Sequence, residues 1–317
     1  IRAQAARALG EAPLANPGPL INALRDSSNR VQAFAALAIA RHGLPQAFND
    51  VLVMLAENAD RDIYLRHAGV VALVRTAQNE AQIAALQTNP NRSLRLAAVI
   101  ALRRLASPKL VASFFDEDSF IADEAIRAVH DVPVAAARPA VAALLDEYSA
   151  GQNGRPLSRM MLRRLLHSAF RVGGTENASR ILAVAANEAL DPNERHEALR
   201  LLSIWENPPP VDQSLGRYEP FGARKGSEAA EALKEGVAPL LAMKGQVLAA
   251  AIGLVRKYDL DVPALDTGLA GLLDDRSLGG GPRSEALELL ASRKPDDLNT
   301  TRLRYAGDAD QQVAGRA

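Results

Sequence analysis

Nine residues, Leu94 to Leu102, reading L-R-L-A-A-V-I-A-L, constrain the fold of this chain more than any other stretch. Counting from Leu94, an arginine follows at once (Arg95), and small or apolar residues stand four, seven and eight places on (Ala98, Ala101, Leu102). Steps of three and four put them on one face of a helix. The same frame opens at Ile1 (Arg2, Ala5, Ala8, Leu9) and at Leu65 (Arg66, Gly69, Ala72, Leu73). With substitutions it returns at Val31, Ile121, Leu162, Glu194, Val247, Pro282 and Asp310, commonly about 30 residues apart.

Before most anchors lies a second amphipathic stretch: Leu20–Leu24, Ala47–Leu55, Ala81–Leu86, Leu110–Phe114, Pro139–Leu145, Ala178–Ala185, Ala232–Leu241 and Leu265–Leu273. Each unit therefore reads as a pair of helices joined by a polar turn. One pair cannot bury its apolar face alone, so neighbours must stack. The expectation is an all-α fold, an α-solenoid of about nine to ten helix pairs over residues 1–317. Punctuation agrees. Asp191-Pro192-Asn193-Glu194 offers an N-cap, a proline at the first helical position and an acid in the first turn. Asn89-Pro90-Asn91, Ser107-Pro108 and Lys294-Pro295-Asp296-Asp297 read as similar starts, and Gly43 and Gly173-Gly174 as helix ends.

Apolar residues make up 48% of the chain and aromatics only 4%, a balance of Ala and Leu that favours close-packed helices over sheet. Lys plus Arg and Asp plus Glu number 37 each, without the basic excess of a nucleic-acid or membrane-surface binder. The absence of cysteine excludes thiolate metal sites, catalytic thiols and disulfides from this segment. No apolar run approaches the roughly 18 residues that span a bilayer. Ile1 already lies inside a helical pattern, so the chain is expected to be a fragment of a longer one.

Two regions break the period. Ser149–Gly154 reads as a flexible loop, and Glu206–Ser227, with its prolines and glycines, as an extended non-repeat excursion at 206–227 whose Tyr218 and Phe221 rest on the repeat stack.

The frame apolar-Arg-x-x-Ala-x-x-Ala-Leu, nearly complete in Ile1–Gly10, resembles the HEAT family, particularly its short bacterial form. The run Trp205, Pro208-Pro209-Pro210, Asp212, Gly216-Arg217-Tyr218, Pro220 and Arg224 is similar to a segment of large planctomycete-type proteins, as is Asp62–Ala68. Those proteins join a sorbosone-dehydrogenase-like propeller, a HEAT solenoid and a haem-binding cytochrome c module with a CxxCH motif. The resemblance implies that this chain is the middle section, with no cofactor of its own and haem c elsewhere in the parent. It also implies a periplasmic or otherwise exported setting, with a cytoplasmic one left open.

Individual residues name no reaction. His42, His67, His130, His167 and His196 form no i, i+4 pair or HExxH frame. His67 is the best placed to line a shared face. The frame arginines Arg2, Arg66, Arg95, Arg163, Arg195 and Arg283 could track phosphates. The ladder is broken at Gln32, Ala122 and Leu248, and a pairing with Asp26, Asp60, Asp118 and Asp191, in the turns before the helices, explains it better. Adjacent acids such as Asp116-Glu117-Asp118 read as helix-start residues. Gly279-Gly280-Gly281 reads as a loop, and the lone Trp205 has no evident basic surround. The expected function is a non-catalytic scaffold binding protein domains, without nucleic acid or a membrane segment. Its candidate contact residues are Arg217, Tyr218, Phe221, Arg224, Arg66, His67 and Arg95. The alternative is a ligand-binding or enzymatic solenoid of DNA-glycosylase or bilin-lyase type, with a concave-face pocket.

Overall fold

A computed structural model describes residues 1–149, 158–293 and 298–317, with the backbone alone for Ser149 and Leu298. Residues 150–154 of the expected loop, and the helix start at Lys294–Asp297, lie outside the described residues. The chain is all-α, and among the described residues the nearest approach to a strand is one isolated bridge.

Two compact units divide it, Ile1–Arg138 and Pro139–Ala317. The first holds α1 (Arg2–Glu11), α2 (Gly18–Ala23), α3 (Asn29–His42), α4 (Phe48–Asn58), α5 (Ile63–Thr76), α6 (Glu80–Ala84), α7 (Arg92–Arg104) and α8 (Ser119–Asp131). Next comes α9 (Arg138–Ser149), which begins at the division. The second unit continues with α10 (Arg159–Val172), α11 (Thr175–Ala186), α12 (Pro192–Ser203), α13 (Gly226–Gly236), α14 (Ala238–Leu241) and α15 (Gly245–Lys257). It ends with α16 (Pro263–Asp274), α17 (Gly280–Arg293), α18 (Leu298–Tyr305) and α19 (Gln311–Ala314).

Every frame anchor falls at the start of one of ten helices, and within each unit these stack in chain order. In the first unit α1 packs on α3, α3 on α5, α5 on α7 and α7 on α8. In the second, α10 packs on α12, α12 on α15, α15 on α17 and α17 on α19. The intervening helices lie against them, α2 on α3, α4 on α5, α6 on α7, α11 on α12 and α16 on α17. The frame explains this order. From α3 to α17 the residues four, seven and eight after each anchor are buried, Leu290 alone being half-buried. Alanine or glycine four places after the anchor, in each of these helices but α10, lets helix axes approach toward the lower end of the usual ~8–10 Å. Each large apolar neighbour sealed there contributes about 1.5–3 kcal/mol.

Three local expectations need correction. Leu110–Phe114 lies largely in a 3₁₀ segment, Pro108–Ser113, because Ala106 at φ 50° and the turn before α8 leave too few residues for an α-helix. Asn89 does not cap α7; Asn91 does, and Asn89 accepts the Asn91 amide at 2.8 Å. Of the three expected loop glycines, Gly280 and Gly281 lie in the first turn of α17, where a side chain at Gly280 would meet Asp310.

Gly69 occupies a frame place that holds alanine in every other frame helix but α10, which has Leu166 there. A β-carbon there would come within 2.6 Å of Leu55 Cδ2 and 2.8 Å of Met54 Cε, both buried side chains of α4. Gly69→Ala gains about 1 kcal/mol of helix propensity against an overpacking cost of about 1–3 kcal/mol. A net loss of about 1 kcal/mol is expected in urea titration; a more stable variant would show that α4 yields at that contact.

Candidate interaction surfaces

The excursion after α12 is anchored by two clusters. Residues 210–219 form a small hairpin. The Asp212 amide donates to the Arg217 carbonyl at 2.7 Å and the Glu219 amide to the Pro210 carbonyl at 2.9 Å, while Val211 and Tyr218 bridge antiparallel. Pro208, Pro209 and Pro210 hold the approach extended and remove amide donors. Asp212, only 3% exposed, organises the turn. Its Oδ1 accepts the amides of Ser214 and Leu215, each at 2.9 Å, and the Ser214 hydroxyl at 2.5 Å. Its Oδ2 accepts Arg171 Nε from α10 at 2.7 Å, and the same guanidinium donates to the Glu219 carbonyl at 3.0 Å. One arginine thus holds both sides of the hairpin. Burial pushes the Asp212 carboxyl up, but the Ser214 hydroxyl, Arg171 and the Leu215 amide outweigh it and hold the group well below the carboxylate range.

The second cluster is aromatic. Phe170 meets Trp205 and Phe221 edge-on, with centroids 5.6 and 5.3 Å away. The Arg224 guanidinium lies 4.6 Å from the Trp205 centroid, 4.8 Å from that of Phe170 and 4.9 Å from that of Phe221, and donates to the Phe170 carbonyl. Arg171 covers Phe221 at 4.5 Å. Trp205 is fully buried, and its indole N–H donates to Glu228 Oε2 at 3.1 Å, which also accepts the Gly174 amide at 3.1 Å. Burial lowers Arg224 to about 10, against the raising effect of Glu228. Trp205 therefore does have a basic neighbour, Arg224, supplied from beyond the hairpin.

The candidate residues divide accordingly. Phe221 and Arg224 are engaged inside the chain. Arg217 pairs with Glu219 at 2.6 Å and keeps about a third of its side chain in solvent. Tyr218 stands 71% exposed beside Val211 at 42%; of the two aromatics expected to rest on the stack, only Phe221 does.

Three of the six frame arginines pair with acids between repeats. Arg2 forks onto Asp26 at 2.7 and 3.0 Å, Arg95 onto Asp116 at 2.9 and 3.2 Å, and Arg283 onto Asp308 at 3.0 and 2.5 Å. Those aspartates precede α3, α8 and α19, so the partner turn is that of the next frame helix, not the arginine's own. Arg66 pairs with Asp60 of its own turn at 3.6 Å. Arg195 donates to the Ala185 carbonyl at 2.9 Å and to the Met243 sulfur, and Arg163 to the Gln213 carbonyl at 2.8 Å. Asp118 meets Arg92, and Asp191 caps α12. A signal passed over in the sequence underlies this. Asp26, Asn89, Asp116 and Asp308 each stand two residues before a cap and accept its amide at 2.8–2.9 Å. His67 is exposed on α5, while Arg95 is buried with Asp116 and also reaches Glu117 at 2.9 Å.

Among the described residues no three His, Asp or Glu converge as metal ligands, and no helix is long and apolar enough to cross a membrane. No protein-family model matches the chain, and no curated protein sequence matches it. A crystal structure of an engineered protein aligns with 99% of this chain and 92% of its own at 17% identity and a TM-score of 0.40, too low for anything to be built on it.

Proposed function

We propose that this chain is a non-catalytic scaffold of HEAT-like repeats that binds protein domains, using the hairpin 210–219 as a fixed contact. The observation that carries this reading is the contrast between the two sides of the hairpin. Asp212 and Arg171 pin it from beneath, yet Val211 and Tyr218 form an apolar cross-strand pair in solvent. A preorganised aromatic loses little entropy on docking, and tyrosine is favoured at interface centres. In the fuller form of the proposal, the neighbours are a dehydrogenase-like propeller and a haem-binding module of one exported parent protein.

The test of that parentage is the mass and absorption of the native protein. A chain much heavier than 33.8 kDa with a c-type Soret band is expected; a colourless chain of that mass would overturn it. The contact itself is tested by V211S/Y218S. We expect unchanged far-ultraviolet dichroism and a binding loss of about tenfold or more to the separately purified flanking module. Undiminished binding would remove the hairpin from the proposal.

A further inference from the structure

A second surface lies in the same unit, away from the hairpin tip. The exposed sides of α12, α15 and α17 enclose an open groove of about 680 Å³. Its floor is Ala249, Ala250 and Gly253 of α15, with the long side chains of Gln246 and Lys257 a turn to either side on the same face. Arg200 and His196 border it from α12, Glu285 from α17, and Arg256 and Lys257 from the end of α15.

The two arginines are held in place by half-buried acids. Glu197 accepts both Arg200 Nε at 2.6 Å and Arg200 Nη2 at 2.8 Å, and is itself backed by the buried His167 ring at 3.2 Å. Burial raises the Glu197 carboxyl, but Arg200 and then His167 outweigh it and bring it down to about 2, so it stays ionised and keeps the guanidinium in place. Arg256 donates to Glu285 at 3.1 Å, using one of its five N–H groups. Among the described residues Lys257 has no ion-pair partner; its ammonium lies 5.9 Å from the Tyr258 ring. Arg200 and Arg256, each paired, and the unpaired Lys257 therefore stand against Glu197 and Glu285, three cations to two carboxylates.

From this arrangement we infer that the groove binds an extended, acidic segment of a protein partner. The inference rests on reading the chain as an interaction scaffold, but it uses a separate surface. Three helices about 8–10 Å apart span about 20 Å, the reach of about six extended residues. The Ala249 and Ala250 part of the floor admits a backbone, the Glu285 carboxylate lying over Gly253, and planar guanidiniums at the rim match carboxylates. Glu285 between the cations disfavours a continuous phosphate chain, whereas a peptide alternating acidic and small residues can set its carboxylates to either side of it.

The probe is a fluorescein-labelled Asp-Ala hexapeptide repeat, followed by fluorescence anisotropy on the whole chain at low salt, with a Lys-Ala repeat and an oligothymidylate for comparison. Only the Asp-Ala peptide is expected to bind well, and more weakly as salt rises. Lys257→Glu is expected to weaken it about tenfold. Lys234→Glu, the same charge change on the exposed face of α13, should alter it less than about twofold. Ala250→Gln, which fills the floor without changing charge, should also weaken it. Equal losses from Lys257→Glu and Lys234→Glu, tighter binding of the oligothymidylate, or no preference for the acidic peptide would each overturn the groove site. Unchanged peptide binding in V211S/Y218S keeps the groove independent of the hairpin contact, so either can fail alone.

Discussion

Trp205→Ala is expected to lower the unfolding free energy by about 3–5 kcal/mol, the range for emptying a buried aromatic site. Trp205 is fully buried, and three groups lean on it: Phe170 from α10, the Arg224 guanidinium and the Glu228 carboxylate. Alanine leaves a cavity beneath Phe170 and removes one aromatic face from a guanidinium that is already half-desolvated. It also leaves Glu228 Oε2 with only the Gly174 amide among the donors described above. Trp205→Phe keeps most of the ring contact and loses the N–H, so a smaller cost of about 1–2 kcal/mol is expected. Urea titration followed by far-ultraviolet dichroism checks both. Equal, small losses for the two variants would show that the aromatic cluster contributes little. Trp205 is the chain's one tryptophan, so its emission in the unmutated protein reports this cluster directly. A red shift preceding the loss of helix signal would show the excursion releasing before the repeats unfold.

The frame helices were legible because their period is local. Ala98, Ala101 and Leu102 recur within two turns, and each frame anchor sits at a helix start. Caps were legible where a single residue decides them, as at Asp191 and at Gly43, whose φ of 61° an L side chain rarely adopts. The pairing of the arginines was legible in kind but not in register. Whether Arg95 meets its own turn or the next depends on how α7 and α8 stack, which no local pattern encodes. The aromatic cluster was hidden for a stronger reason. Phe170 lies 54 residues before Arg224, and the excursion has no period of its own, so nothing in its composition tells Phe221, which packs inward, from Tyr218, which does not. The groove was equally out of view. Its floor, Ala249, Ala250 and Gly253, reads in sequence as ordinary helix-packing residues, and only the stacking of α12 and α17 around it brings Arg200 and Glu285 to one place.

Asp212→Ala is expected to cost about 3–5 kcal/mol, the range for removing one member of a buried ion pair, since Arg171 would keep only the half-buried Glu219 carboxylate at 3.5 Å. Arg171 and Asp212 have side chains only 4% and 2% exposed, and Arg171 already has one buried N–H group without an acceptor. Alanine would strand Nε as well and release the amides of Ser214 and Leu215 that shape the turn. The pair formed by Asp212→Ala with Arg171→Met should recover much of the loss, because no buried charge is then left over. Asp212→Asn separates charge from turn-shaping, since its side-chain oxygen can still accept the two amides. In the folded chain the Asp212 carboxyl titrates below its ordinary value of 3.8, so the unfolded chain binds its proton first as pH falls. The stabilisation from ionised Asp212 is therefore complete above about pH 4 and is lost progressively below it. The stability gap between the unmutated chain and Asp212→Asn should be constant from pH 7 to about pH 5 and narrow as pH drops further. A gap that stayed constant through the acid range would show that Arg171 holds the hairpin by its carbonyl bond to Glu219 and not by its pairing with the Asp212 charge.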